Sequence, residues 1–89
     1  MPSARTITVG TSPTPLWPTR VDHPYTINSS PVTGTVYVGG RLVAASGEHK
    51  GRAVAPGDEW EAELDAGQVF YAVAASGTVE VSSVTDVDE

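Results

Sequence analysis

The second half of the chain carries the clearest pattern of apolar and polar positions. Apolar and charged residues alternate from Trp60 to Leu64, as in a half-buried β-strand whose successive side chains point to opposite faces. From Val69 to Ala75 every residue is apolar, which predicts a strand that is covered on both faces. No window keeps helical spacing of apolar residues for long enough to predict a helix.

Turn-forming residues divide the rest of the chain into short segments. Nine glycines and seven prolines are spread along 89 residues, and turn signals at intervals of about 8–12 residues are typical of all-β folds. We therefore predict one all-β domain, a small antiparallel β-sandwich or β-barrel. The predicted strands are 5–9, 25–28, 35–38, 41–45, 51–55, 60–64, 68–75 and 78–84.

Two turns predict how the last three strands pair. The loop Asp65-Ala66-Gly67 suits a short hairpin with Gly67 in the left-handed conformation, and Ser76-Gly77 suits a two-residue turn. This pairing gathers one core face: Trp60, Ala62, Leu64, Phe70, Ala72, Ala74, Val79 and Val81. The pair Gly39-Gly40, with positive φ at both positions, predicts a further hairpin between 35–38 and 41–45.

The opposite face of the same predicted sheet is apolar in its centre. It places Val69, Tyr71 and Val73 between outer strands that carry the acidic residues Glu61, Glu63 and Glu80. Another segment of the chain could cover this stripe. Alternatively it is a protein-binding surface, since an apolar centre containing Tyr and a polar rim are typical of such surfaces. Val69, Tyr71 and Val73 are the candidate interface residues.

The two ends of the chain differ from its centre. Residues 1–24 contain most of the prolines, which lack the N–H that a β-ladder needs, so we predict an extended arm or edge segment before a domain at 25–85. Trp17 in this arm either closes the open end of its own domain or contacts a neighbour, and it is the fourth candidate interface residue. Residues 86–89 predict a solvated acidic tail.

Composition argues against several classes of function. A net charge of −6 with only five basic residues disfavours binding to nucleic acid, which needs clustered cations. The sequence shows no signal peptide and no membrane span, so a cytoplasmic origin is expected. Neither His23 nor His49 belongs to a metal-ligand pattern. We predict no catalytic residues, no metal and no cofactor, and therefore no enzymatic activity.

Two stretches resemble a class of small accessory virion proteins of tailed bacteriophages, the head decoration proteins and similar minor structural proteins. They are "NSSPVTGTVYVGG" and "VAPGDEWEAELDAGQVFYAVAASGTVEVS". The shared elements are the Val-Tyr-Val-Gly-Gly turn, the Pro-Gly-Asp turn, the strand around Tyr71 and the last strand. The resemblance covers residues 28–84 and leaves out the N-terminal segment.

The resemblance implies a non-enzymatic protein that binds the major capsid protein lattice on the outside of the assembled head. Self-association, as a homotrimer, would accompany that role. The expected location is the capsid surface of the virion, with the host cytoplasm as the site of assembly. Two alternatives stay open: a tail-associated accessory protein, and a carbohydrate-binding or adhesive β-module that uses Trp17, Tyr25, Tyr37 or Trp60 as a stacking platform.

Overall fold

The computed structural model describes residues 3–17 and 20–87, and every regular element in these residues is a β-strand. The all-β prediction is therefore confirmed. Eight strands follow one another along the chain: β1 Ser3–Val9, β2 Thr14–Pro15, β3 Tyr25–Pro31, β4 Val36–Gly39, β5 Arg52–Val54, β6 Trp60–Leu64, β7 Tyr71–Ala74 and β8 Val79–Thr85.

The strands form two four-stranded sheets in which all neighbours are antiparallel. The first sheet has the order β1-β8-β3-β6 and the second the order β2-β7-β4-β5. Ile7 lies opposite Val81 in the first sheet, and Val36 lies opposite Ala74 in the second. Both sheets contain strands from the two halves of the sequence, so the fold depends on long-range pairing.

Inward-facing side chains of both sheets form one core. Burial alternates along β3 and β8 with the two-residue period of a strand. The core cluster is Val9, Leu16, Trp17, Val21, Tyr25, Ile27, Val36, Val38, Val54, Leu64, Ala72, Ala74, Val79 and Val81. The inward rows also hold Ser29 and Ser83, whose hydroxyl oxygens are hydrogen-bonded at 2.9 Å. This pair satisfies two buried polar groups that would otherwise destabilise the fold.

The segment before residue 25 does not form the predicted extended arm. Ser3–Val9 pairs along its whole length with β8, and the Leu16 N–H donates to the Phe70 carbonyl at 3.0 Å. β2 contains a proline and is an edge strand, a position where the missing N–H costs no ladder bond. Pro18 and Thr19 lie outside the described residues.

The predicted three-stranded sheet is wrong, although its first turn, at 65–68, forms. β6 and β8 belong to the first sheet and β7 to the second, so the connections at 65–70 and 75–78 cross between sheets. Gly67 has φ 77°, as predicted, and the Gln68 N–H donates to the Asp65 carbonyl at 3.0 Å. With positive φ at its third residue alone, this is a type II turn. The predicted core face survives because each strand keeps its alternation.

The Gly39-Gly40 hairpin is also wrong. Neither glycine has a positive φ; Gly39 continues β4, which pairs with β5 instead. Residues 41–45 form part of a loop that packs back on the end of β4. A Cβ on Gly51 would approach the Val38 carbonyl oxygen to 2.6 Å and the Val43 side chain to 2.5 Å, so this close packing requires glycine.

Candidate protein-binding surface

The outward face of the second sheet carries the predicted stripe. Ala72 and Ala74 on β7 are buried in the core, so Tyr71 and Val73 belong to the opposite row. Pro15 and Gly39 lie beside Tyr71 in the ladder, and Tyr37 lies beside Val73. This outward row is therefore apolar and aromatic across three strands.

The four predicted interface residues differ in exposure. Trp17 is 2% exposed and Val73 is 3% exposed, so both are largely covered within this chain. Val69 and Tyr71 are half-buried and can contact a partner. Burial of Trp17 agrees with the alternative in which it closes its own domain.

Three of these residues meet at one place. Trp17, Val69 and Tyr71 line an open depression of about 500 Å³, together with Pro15, Arg20, Arg41 and Gly67. We call these seven residues the Tyr71 depression. Val73, the fourth predicted residue, lies outside it. The type II turn places Gly67 here, with the Arg20 Nη2 atom 3.2 Å from where a Cβ on Gly67 would be.

The predicted acidic rim of the stripe is wrong. Glu61 and Glu63 lie on β6 and Glu80 on β8, both in the first sheet. The Tyr71 depression carries two arginines instead, Arg20 and Arg41. Sequence reasoning missed them because 21 positions separate them and neither lies in a regular strand.

Both guanidinium groups are available to a partner. Arg20 and Arg41 are exposed, and neither forms an ion pair with any residue in 3–17 or 20–87. They are two of only five basic residues in a chain of net charge −6. The depression is thus a locally basic region on an acidic protein, which favours an acidic binding partner.

The Trp17 side chain is buried and contacts a residue of the first sheet. The Arg5 guanidinium lies over its ring at 5.5 Å from the centroid, a cation–π contact that joins β1 to the segment after β2. The indole Nε1 is buried and has no hydrogen-bond partner among the described residues. A side chain held in this way cannot act as an exposed platform for sugars.

A second, smaller depression continues the surface toward the 40–51 loop. It has a volume of about 310 Å³ and is lined by Val38, Gly39, Gly40, Leu42, Val43, His49, Lys50, Gly51 and Arg52. Leu42 is 62% exposed, and the Lys50 Nζ lies 5.8 Å from the centroid of the Tyr37 ring. The 40–51 loop and the end of β4 thus combine an exposed apolar side chain with basic groups around this second depression.

The remaining aromatic residues have structural contacts. The Trp60 and Phe70 rings meet edge to face at 4.9 Å and both pack against the core. The Tyr25 hydroxyl donates to the Gln68 carbonyl at 2.8 Å, and burial raises the pKa of this phenol. These contacts join the first sheet to the connection that enters the second.

The histidines and several carboxylates are dispersed over the described part of the chain. Residues 3–17 and 20–87 contain no group of three His, Asp or Glu side chains able to hold a metal ion. His23 and His49 are both exposed. Asp86 accepts a hydrogen bond from the Thr26 N–H at 3.0 Å, and Asp88 and Glu89 lie outside the described residues.

Comparisons with known proteins do not assign the chain to a family. No protein-family model matches the chain, and no curated protein matches it in sequence. The described residues also include no helix of the length and apolar content needed to cross a membrane. The resemblance to phage virion proteins therefore stays a prediction.

Proposed function

We propose that this chain is a non-enzymatic structural protein that acts by binding other protein surfaces through the outward face of the second sheet. The observation that carries the proposal is the Tyr71 depression. It combines a half-buried Tyr, apolar neighbours and two exposed arginines. Tyr and Arg are the residue types that protein interfaces enrich and that dominate their binding energy.

The partner we propose is the major capsid protein lattice of a tailed bacteriophage, with the chain as a decoration protein on the outer surface of the head. Its support is the resemblance over residues 28–84. A homotrimer on the capsid surface fits the same proposal, as does a sandwich fold, since two four-stranded sheets share one core. A protein that binds only the assembled shell would stabilise it by mass action at every site.

A tail-associated role would use the same surface. The carbohydrate-binding alternative has less support, because Trp17 is buried and Trp60 packs edge to face on Phe70. Neither tryptophan offers the open aromatic face that sugar stacking needs.

Co-sedimentation with assembled heads of the virus that encodes the chain tests the proposal. Heads stripped of the protein are mixed with the wild-type chain, Tyr71→Asp or Val84→Asp. Val84 is 43% exposed on the first sheet and supplies a matched control for an added carboxylate. We expect Tyr71→Asp to lose binding, because it removes the aromatic side chain of the depression and adds a carboxylate that competes with an acidic partner for Arg20 and Arg41.

Two measurements distinguish a loss of binding from a loss of the fold. Far-UV circular dichroism and a two-dimensional amide spectrum establish that Tyr71→Asp keeps the fold, and Tyr71→Ser serves as a milder second variant. Wild-type chain that stays in the supernatant at every concentration would contradict the capsid role. Equal sedimentation of the wild type and Tyr71→Asp would contradict the assignment of the surface.

A further inference from the structure

Charge is segregated between the two sheets. Four of the five basic residues belong to the second sheet or to the two depressions beside it: Arg20, Arg41, Lys50 and Arg52. The first sheet carries Glu61 and Glu63 on β6 and Glu80 on β8. One chain therefore presents a basic surface and an acidic one on different sheets.

Within the acidic surface, two carboxylates stand out because they have no partner. Glu80 accepts a hydrogen bond from the Thr8 hydroxyl at 3.2 Å, and Glu59 accepts one from the Asn28 side-chain amide at 3.3 Å. The side chains of Glu61 and Glu63 are exposed, and their carboxylates form no hydrogen bond or ion pair with residues 3–17 or 20–87.

The position of this pair suits an intermolecular contact. β6 is an edge strand of the first sheet, and Glu61 and Glu63 lie two positions apart on its outward row, about 7 Å from each other by strand rise. Charged side chains on an edge strand commonly protect it from uncontrolled pairing. Here they also form a matched set of two anions for the two cations of the Tyr71 depression.

We propose that the Tyr71 depression of one copy receives the β6 edge of a second copy, with Arg20 and Arg41 pairing with Glu61 and Glu63. The second copy is the occupant we choose because both halves of the complementary set occur on this one sequence, and neither half has an ion-pair partner among residues 3–17 and 20–87. Arg–carboxylate pairs are the strongest ion pairs in geometry and energy. This inference rests on the self-association included in the proposed function.

Such a contact is heterologous, since it joins two different surfaces of the same chain. Heterologous contacts close into rings when the rotation between copies permits it, and otherwise form open chains. A closed ring of three would agree with the homotrimer that the resemblance implies. In that ring every Tyr71 depression and every β6 edge would be occupied, so the capsid lattice would contact the rest of the ring, and Tyr71→Asp would lose binding to heads by preventing ring formation.

A charge-swap experiment on the full chain tests the proposal. Sedimentation velocity is measured for the wild type, for the double variants R20E/R41E and E61R/E63R, and for an equimolar mixture of the two. We expect the wild type to self-associate more weakly at high salt and each double variant to associate at least about tenfold more weakly. The mixture should recover association into pairs or open chains, because each variant then offers the charge that the other lacks. It should not recover a closed ring of three, in which two variants cannot alternate.

The single variant Arg41→Glu is measured beside Arg52→Glu as its control, since Arg52→Glu reverses an exposed cation of the second sheet outside the Tyr71 depression. Three results would overturn the inference: a wild type that is monomeric at all concentrations, a mixture that does not associate, or an effect of Arg52→Glu equal to that of Arg41→Glu. If the wild type is monomeric while Tyr71→Asp still abolishes binding to heads, the inference fails and the proposed function stands. If the wild type forms charge-dependent oligomers that do not bind heads, the inference stands and the capsid role fails.

Discussion

Replacing Trp17 by alanine is the sharpest test of the finding that the proline-rich segment belongs to the core. Trp17 is 2% exposed and is part of the core cluster that both sheets share. If this segment were an arm outside the domain, Trp17→Ala would leave the free energy of unfolding almost unchanged. The structure predicts a large loss instead.

The size of that loss follows from three contributions. A buried tryptophan removes roughly 200 Å² from water, worth about 5 kcal/mol at roughly 25 cal/mol per Å². The contact with the Arg5 guanidinium adds about 0.5–1 kcal/mol. The indole N–H has no hydrogen-bond partner among the described residues, so its removal offsets about 1–3 kcal/mol of this loss of stability. We expect Trp17→Ala to lower the free energy of unfolding by about 3–4 kcal/mol.

Trp17→Phe separates the packing contribution from the polar one. Phenylalanine keeps most of the apolar area and a ring for Arg5, and it has no N–H to bury. We therefore expect its free energy of unfolding to lie within about 1 kcal/mol of the wild type. An exposed position, Val32 at 61%, supplies the control, and Val32→Ala should change the stability by less than about 0.5 kcal/mol.

Urea unfolding gives the measurement. Trp60 remains in every variant as the fluorescent probe, and far-UV circular dichroism gives an independent signal for the two-state analysis. Because m is about 1–3 kcal/mol/M for small domains, the midpoint of Trp17→Ala should fall by at least about 1 M urea. A loss below about 1 kcal/mol for Trp17→Ala would refute the placement of this segment in the core.

Two further predictions concern a turn and a buried phenol. Gly67→Ala should lower the free energy of unfolding by about 1–2 kcal/mol because of the positive φ of Gly67. Gly10→Ala, with no atom within 4 Å of the added Cβ, is the control and should be nearly neutral. Equal thermal midpoints for the two variants would contradict the left-handed conformation of Gly67. Because burial raises the pKa of Tyr25 above its ordinary value of 10.0, the stability that this phenol contributes is present below pH 10 and falls as the pH rises through the folded-state pKa. Tyr25→Phe should remove this part of the alkaline loss in urea titrations, and an unchanged pH profile would contradict it.

The sequence by itself determined which side of the last three strands faces the core. The alternation from Trp60 to Leu64 and from Val79 to Val81 places the same side chains inward in the structure as in the prediction. The conformation of Gly67 was also readable, because positive φ is a local property for which glycine carries no steric penalty. These features depend only on neighbours along the chain.

Which strands pair was decided by the tertiary structure. A hairpin between β6 and β7 would bury the same inward residues as the observed fold, in which β6 pairs with β3 and β7 with β2 and β4. A turn sets the direction of the chain, and alternation sets the face, but neither identifies a partner strand. The choice depends on the total packing of both sheets.

The candidate site also has one part that the sequence predicted and one part that it did not. The sequence placed Tyr71 on an outward apolar row through a pairing of β6 with β7 that the structure does not contain. The row itself is correct, since Ala72 and Ala74 belong to the core. The sequence could not show that Arg20 and Arg41 would border that row, because loops far apart in the chain bring them there. Local pattern therefore determined the apolar part of the surface, and only long-range folding determined its charge.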